Sequence, residues 1–130
     1  MLPGRDLLMT DKELIINAVL HYVEGWYTAD SERMARALHP GLAKRRVTPE
    51  GETWDVTRDW MIDATSKGQG KIDDPEHGKK EITILDITGS IASVKLVSEV
   101  FDDYLHLVKQ ADVWVIVNAL WDYRSNSTDT

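Results

Sequence analysis

The sequence predicts an α+β fold in which one layer of helices covers one antiparallel sheet. Two observations support this prediction. The first third of the chain carries amphipathic helical patterns, and the last third consists almost entirely of strand patterns separated by short turns. Because helices and strands are segregated along the chain, the helices can pack on one face of the sheet and leave room for a pocket between the two layers.

Composition limits the classes of protein to consider. The chain has 130 residues, 42% of them hydrophobic, which suits a single domain; we place it at residues 11–123, between flexible ends at 1–10 and 124–130. The net charge of −7 opposes binding to nucleic acid. No apolar run approaches the roughly 18 residues needed to span a bilayer. We therefore expect no membrane partner. Cysteine is absent, which fits a reducing compartment, so we expect a cytoplasmic protein.

Thr10 and Glu13 have the spacing of a capping box, which predicts a helix that begins at Asp11. Apolar residues then recur every three or four positions until about Tyr27 and define one buried face. The elements that follow are, in order, a short helix capped by Asp30 or Ser31 and ended by Pro40-Gly41, a strand at 42–47, a turn at 48–51, an extended segment at 53–56, and a third helix capped by Thr57.

The segment from Ser66 to Lys80 is rich in glycine, proline and charge, and we predict a mobile loop there that serves as a lid. Long strands follow at about 80–88, 91–108 and 113–121, joined by hairpin turns at Gly89-Ser90 and 110–112. The second strand is expected to bend or bulge near Asp102 and Asp103 and so to divide into two.

Alternation along these strands predicts which side chains share a face. It groups Tyr104, His106 and Val108 on one face of one strand, and Trp114, Ile116, Asn118 and Leu120 on one face of the last. The opposite face of the last strand is also apolar. Since helices cover only one side of the sheet, we expect a homodimer through the exposed side.

Several segments resemble the putative lumazine-binding group of the nuclear transport factor 2-like superfamily. They are Tyr22-Val-Glu-Gly25 through Asp30, Leu38-His-Pro40, Ile84 to Val94, and Asp103-Tyr-Leu-His-Leu107 leading to Trp114-Val-Ile-Val-Asn118. The resemblance covers about residues 11–121. It implies a cone-shaped half barrel in which a curled antiparallel sheet wraps a long N-terminal helix, as in cystatin-like folds, and which is usually dimeric. The superfamily includes isomerases, dehydratases, polyketide cyclases and noncatalytic binding modules, so the fold alone does not define the chemistry.

The resemblance extends to one catalytic position of the steroid isomerases. Tyr22, ahead of Ala29-Asp30, matches their oxyanion-donor tyrosine on the first helix. Their general base, an aspartate before proline, falls at about Arg46-Val47 in this sequence. A guanidinium cannot abstract a proton at physiological pH, so the isomerase mechanism is not supported.

The candidate site residues follow from side-chain chemistry. His106 has a near-neutral pKa range suited to proton transfer if its strand face is concave, and Tyr22 is the candidate electrophilic donor. We expect ligand contacts from Trp26, Arg46, Trp54, Trp60, Tyr104 and Asn118. The four histidines lack the spacing of a metal site, and we expect neither a metal nor a cofactor.

Three functions remain open from the sequence. The first is a small-molecule-binding protein whose pocket suits a planar or anionic ligand. The second is a cofactor-independent isomerase, cyclase or dehydratase that uses His106 and Tyr22. The third is a dimeric interaction module with a filled core and no ligand. An open polar pocket would favour the first two functions.

Overall fold

The computed structural model describes residues 9–125 and shows a helical layer packed on one six-stranded sheet, which confirms the α+β class. Residues 1–8 and 126–130, which include most of the predicted flexible ends, lie outside the described residues. The elements are α1 (Asp11–Thr28), α2 (Ser31–Ala37), β1 (Leu38–Val47), β2 (Thr53–Val56), α3 (Arg58–Ser66), a 3-10 turn (Pro75–His77), β3 (Lys80–Thr88), β4 (Ile91–Ser98), β5 (Phe101–Gln110) and β6 (Val113–Tyr123).

The predicted helix caps are present. The Glu13 amide donates to the Thr10 hydroxyl at 3.2 Å, and the Glu13 carboxylate accepts from the Thr10 amide at 2.9 Å, so α1 begins at Asp11 with a complete capping box. Asp30 and Thr57 cap α2 and α3 with one hydrogen bond each, accepted from the amides of Arg33 and Trp60. The short helix α2 ends at Ala37, earlier than predicted, because Leu38 already pairs with Ile116 of β6.

The sheet has the strand order β2-β1-β6-β5-β4-β3 and curls over α1. Only the pairing of β1 with β6 is parallel among the described strands; the other pairs are antiparallel. Ile15, Val19 and Val23 of α1 are almost completely buried. They form one core with the inward side chains of the sheet, among them Leu105, Leu107 and Ile116. Burial of this apolar face is the main stabilising contribution to the helix.

The predicted long strand at 91–108 is two strands, and the predicted position of its division is wrong. The chain turns at Glu99–Val100, so β4 and β5 form an antiparallel hairpin. The Ser98 hydroxyl donates to the Phe101 carbonyl at 3.1 Å, and the Glu99 amide donates to the Tyr27 hydroxyl at 2.8 Å. The turn contains no glycine, proline or asparagine, so the usual sequence signals for a turn are absent.

The segment between α3 and β3, predicted to be a mobile lid, has specific contacts with α1. The Ile72 amide donates to the Tyr27 carbonyl at 3.3 Å, and the Tyr27 hydroxyl donates to the Lys79 carbonyl at 2.6 Å. Gly70 lies directly against the indole of Trp26. These contacts place the segment at the edge of the helical layer; its mobility stays a prediction.

Among residues 9–125, no helix is both long enough and apolar enough to cross a bilayer.

Candidate functional site

A cavity of about 490 Å³ lies between the helical layer and the inner face of the sheet. It is open at one end, where β2 and α3 form the rim. Seven aromatic side chains line it: Tyr22, Trp26, Trp54, Trp60, Phe101, Trp121 and Tyr123. A cavity of this volume with aromatic walls has the size and character of a small-molecule site.

Local structure explains how the helices supply part of this wall. Tyr22 and Trp26 are four residues apart on α1 and therefore project from the same side of the helix. Thr57 fixes the start of α3, because its hydroxyl accepts from the Trp60 amide at 3.1 Å. The first turn of α3 consequently presents Trp60 at the rim, where its side chain is 50% exposed.

The polar side chains of the cavity include Tyr22, Lys44 and Asp103. The Lys44 ammonium donates a short hydrogen bond to the Tyr22 hydroxyl and also lies over the Tyr22 ring, 5.0 Å from its centroid. Burial lowers the pKa of Lys44, an effect that the Asp103 charge opposes. Burial, assisted by the Asp103 charge, raises the pKa of Tyr22 well above its usual range. Tyr22 is therefore neutral at physiological pH.

Asp103 is a buried carboxyl group with only 3% of its surface exposed. Burial raises its pKa to about 6; the Lys44 charge opposes this rise, and the neighbouring Asp102 charge adds to it. The Oδ1 atom of Asp103 has no hydrogen-bond partner within the described part of the chain. A buried carboxyl with a raised pKa in a cavity is typical of a functional site.

Of the eight site residues predicted from the sequence, four line the cavity: Tyr22, Trp26, Trp54 and Trp60. Arg46 shares the inward face of β1 with Lys44, as alternation predicts, but it does not line the cavity. Its guanidinium packs 4.8 Å from the ring centroids of both Trp54 and Tyr123. Its Nε donates to Asp122 at 2.8 Å. Lys44 is the cation that reaches the cavity.

Tyr104, His106 and Asn118 lie on the outer face of the sheet, so their predicted position inside the cavity is wrong. On β5 the side chains that point inward are those of Asp103, Leu105 and Leu107, and all three are buried. The residues between them consequently face outward. His106 and Asn118 are cross-strand partners there, 3.3 Å apart through Nδ1 and Nδ2.

A β-bulge explains the outward position of Asn118. His106 pairs with Asn118 whereas Leu107 pairs with Ile116, so Val117 is an extra residue in β6. The bulge reverses the alternation, and Trp114 and Ile116 before it share the inward face with Ala119 and Trp121 after it. A similar irregularity at Leu85 separates Ile84 from Asp86 on β3.

These positions limit the chemistry available to a bound molecule. His106 and Tyr22 lie on opposite sides of the sheet and cannot act together on one ligand, so the predicted catalytic pair does not form. Within residues 9–125, no group of three or more His, Cys, Asp or Glu side chains is arranged to hold a metal ion. The titratable groups in the cavity are Tyr22, Lys44, Asp55, Asp103 and Tyr123.

Three residues that line the cavity were not predicted from the sequence: Lys44, Asp103 and Trp121. One signal was available for Asp103, because it is in phase with the apolar Leu105 and Leu107 on β5. The inward position of Trp121 depends on the bulge at Val117, which no sequence pattern marks. The position of Lys44 depends on the parallel pairing of β1 with β6. This pairing places the Lys44 ammonium over the Trp121 ring, 5.8 Å from the ring centroid.

Comparison with known families identifies the family to which the chain belongs. Residues 10–122 match the model of the family described as "Putative lumazine-binding", and the protein belongs to that family. A comparison with curated proteins finds no match. The family assignment confirms the resemblance seen in the sequence.

Solved structures with the same fold come from several bacteria. An NTF2-like protein of unknown function from Methylobacillus flagellatus is 20% identical, with 88% of this chain and 93% of that chain covered and a TM-score of 0.73. One from Shewanella baltica is 18% identical, covering 89% and 95%, with a TM-score of 0.70. One from Silicibacter pomeroyi is 22% identical, covering 89% and 100%, with a TM-score of 0.69. These similarities confirm the cone-like α+β fold, in which a curled sheet wraps the first helix.

Proposed function

We propose that this protein binds a small planar molecule in the cavity between the helices and the sheet. The observation that carries the proposal is a cavity of about 490 Å³ lined by seven aromatic side chains, with the polar groups of Tyr22, Lys44 and Asp103 among its lining residues. Aromatic side chains recognise planar molecules by stacking and by burial of apolar surface. The open cavity argues against an interaction module with a filled core.

The charges in the cavity bear on the kind of ligand. The Lys44 ammonium provides an attractive partner for an anionic or strongly polar group. The Asp103 carboxylate partly cancels this positive charge once it is ionised, which occurs above a pH of about 6. At neutral pH, a planar ligand without net charge is therefore better supported than a strongly anionic ligand.

A pair of fluorescent dyes tests this proposal. N-phenyl-1-naphthylamine is neutral and contains a planar naphthalene ring, and 8-anilinonaphthalene-1-sulfonate carries a sulfonate on the same skeleton. Titration of the protein with each dye at pH 7.5, followed by dye emission, is expected to give saturable binding, with the neutral dye bound at least as tightly.

Trp60→Ala is expected to weaken binding of the neutral dye about tenfold, because loss of one stacking partner costs roughly 1.4 kcal/mol. Trp60 is 50% exposed, so its removal leaves the core intact. The control is Leu85→Ala, which removes an apolar side chain of 52% exposure that does not line the cavity. Equal affinities in the two variants, or no saturable binding to the unmodified protein, would contradict a binding site in the cavity.

We also propose that two copies associate through the outer face of the sheet. Ile91, Tyr104 and Leu120 lie on this face and are each about half exposed. An apolar sheet face of this kind is a common site of subunit contact. A dimer would bury the pair of His106 and Asn118 and give these residues a role in association.

Light scattering coupled to gel filtration tests the association. The unmodified protein is expected to have twice the chain mass of 14.8 kDa. Leu120→Lys should convert it to a monomer, because a buried lysine without a partner is costly. Val100→Lys, at a residue of 50% exposure in the β4–β5 turn, is the control that should remain dimeric. A monomeric unmodified protein would refute the association.

A further inference from the structure

Two polar atoms in the wall of the cavity are buried without a hydrogen-bond partner. They are Oδ1 of Asp103 and Nε1 of Trp121, the two side-chain atoms with this property in the described part of the chain. Most buried polar atoms in proteins are paired, because an unpaired buried donor or acceptor costs about 1–3 kcal/mol. Both residues line the cavity, but the two atoms themselves have almost no accessible surface. A molecule bound there pairs them when the Asp103 and Trp121 side chains rotate toward it.

The two residues are neighbours in the sheet. Asp103 and Trp121 occupy directly opposite positions in the antiparallel pair of β5 and β6, and both side chains are on the inner face. Residues in this relation have Cβ atoms roughly 5 Å apart. One hydrogen-bond acceptor and one hydrogen-bond donor thus belong to adjacent residues of the cavity wall.

The neighbouring polar groups are already paired with each other. The Lys44 ammonium donates to the Tyr22 hydroxyl and lies over the rings of both Tyr22 and Trp121. Its positive charge and the negative charge of Asp103 oppose each other in the same cavity. Their sum favours a ligand without net charge.

We propose that the cavity recognises a neutral planar molecule that carries an N–H group beside a carbonyl, as in the cis amide of a lactam ring. The N–H group donates to Oδ1 of Asp103, and the carbonyl oxygen accepts from Nε1 of Trp121. The aromatic walls stack on the planar ring. This proposal rests on the proposed function and defines the class of ligand that the same cavity takes.

Two probes that differ by one methyl group test the proposal. 2-Quinolinone offers the N–H and carbonyl edge, and 1-methyl-2-quinolinone retains the carbonyl but lacks the donor. We expect calorimetric titration at pH 7.5 to show 2-quinolinone bound at least tenfold more tightly. In ¹⁵N spectra, the indole N–H signal of Trp121, assigned with Trp121→Phe, should move on addition of 2-quinolinone.

Variants separate this edge recognition from simple stacking. Asp103→Leu removes the acceptor at similar volume, and Trp121→Phe removes the donor while retaining an aromatic wall. Each is expected to abolish most of the preference for 2-quinolinone over its methylated form. Trp60→Ala should weaken both probes equally and leave the preference unchanged.

The outcomes distinguish the recognition edge from the cavity itself. If both probes bind equally and both shift the indole signals of Trp26 and Trp60, the lactam proposal is overturned while binding in the cavity stands. If neither probe binds but N-phenyl-1-naphthylamine does, the lactam proposal is also overturned. If neither quinolinone nor either dye binds, both proposals fail. The two quinolinones are compared on the unmodified protein, so the test holds even if a variant does not fold.

Discussion

Asp103→Asn is expected to stabilise the protein at pH 7.5 by about 3 kcal/mol and to have little effect at pH 4. Burial raises the pKa of Asp103 from 3.8 to about 6. Below pH 3.8 the carboxyl group is neutral in both the folded and the unfolded chain. Between pH 3.8 and about 6 the unfolded chain loses this proton while the folded chain retains it, so stability falls by about 1.4 kcal/mol per pH unit. Above pH 6 the folded state holds a buried carboxylate, and the full loss of about 3 kcal/mol remains. An uncharged amide of similar shape does not bear this cost.

Urea denaturation at several values between pH 4 and pH 8 measures this effect. The difference in unfolding free energy between Asp103→Asn and the unmodified protein should widen between pH 4 and about pH 6 and then stay constant up to pH 8. Asp73→Asn is the control, since Asp73 is exposed and should show no such divergence. Parallel pH profiles for Asp103→Asn and the unmodified protein would contradict the burial of an unpaired carboxylate.

Gly70→Ala is expected to lower the free energy of unfolding by about 2 kcal/mol, because it overpacks the contact between the loop and α1. A Cβ atom at Gly70 would lie 2.1 Å from the Trp26 indole, far inside the van der Waals distance. Either the loop or the indole must move, and Trp26 lines the cavity. Binding of N-phenyl-1-naphthylamine should therefore weaken in the same variant.

Gly41→Ala is the matched control, because a Cβ atom there would meet only the His39 ring, at 3.3 Å. Urea denaturation of the two variants side by side separates the steric effect from the general effect of replacing glycine. If Gly70→Ala changes stability by less than 0.5 kcal/mol, a typical surface effect, the close packing of Gly70 on Trp26 is wrong.

Helix boundaries were predictable because their signals are local. The caps at Thr10, Asp30 and Thr57 each depend on a side chain and an amide three residues away. The β4–β5 turn was not predictable in position, because a contact with Tyr27, 72 residues distant from Glu99 in sequence, helps to hold it. Local patterns identify an element well when the interactions that define it are also local.

The candidate site was predictable where helical periodicity or a cap defined the direction of the side chain, as for Tyr22, Trp26 and Trp60. Trp54, on the short strand β2, was also predicted correctly. The outward position of Asn118 follows from the bulge at Val117, and one extra residue in a strand reverses every side chain beyond it. For Asp103 the alternation with Leu105 and Leu107 does predict an inward side chain. It was not predicted as a site residue because aspartate is rarely buried in proteins.

A buried carboxyl group that lowers the stability of the protein is consistent with ligand binding in the cavity that it lines. The unpaired Asp103 carboxylate destabilises the free protein at neutral pH, and natural proteins accept such costs at functional sites. A ligand that donates to Oδ1 would recover part of this cost on binding. The same carboxyl group thus links the stability of the protein to the occupancy of its cavity.

The most direct test of the binding site is a crystal structure of the protein purified from its native host, together with crystals soaked in N-phenyl-1-naphthylamine. We predict density for a planar molecule between the aromatic walls, with polar atoms of the native ligand within hydrogen-bond distance of Asp103 and Trp121. A cavity closed by Trp54 and Trp60, or one that holds only ordered water in both crystals, would contradict the account.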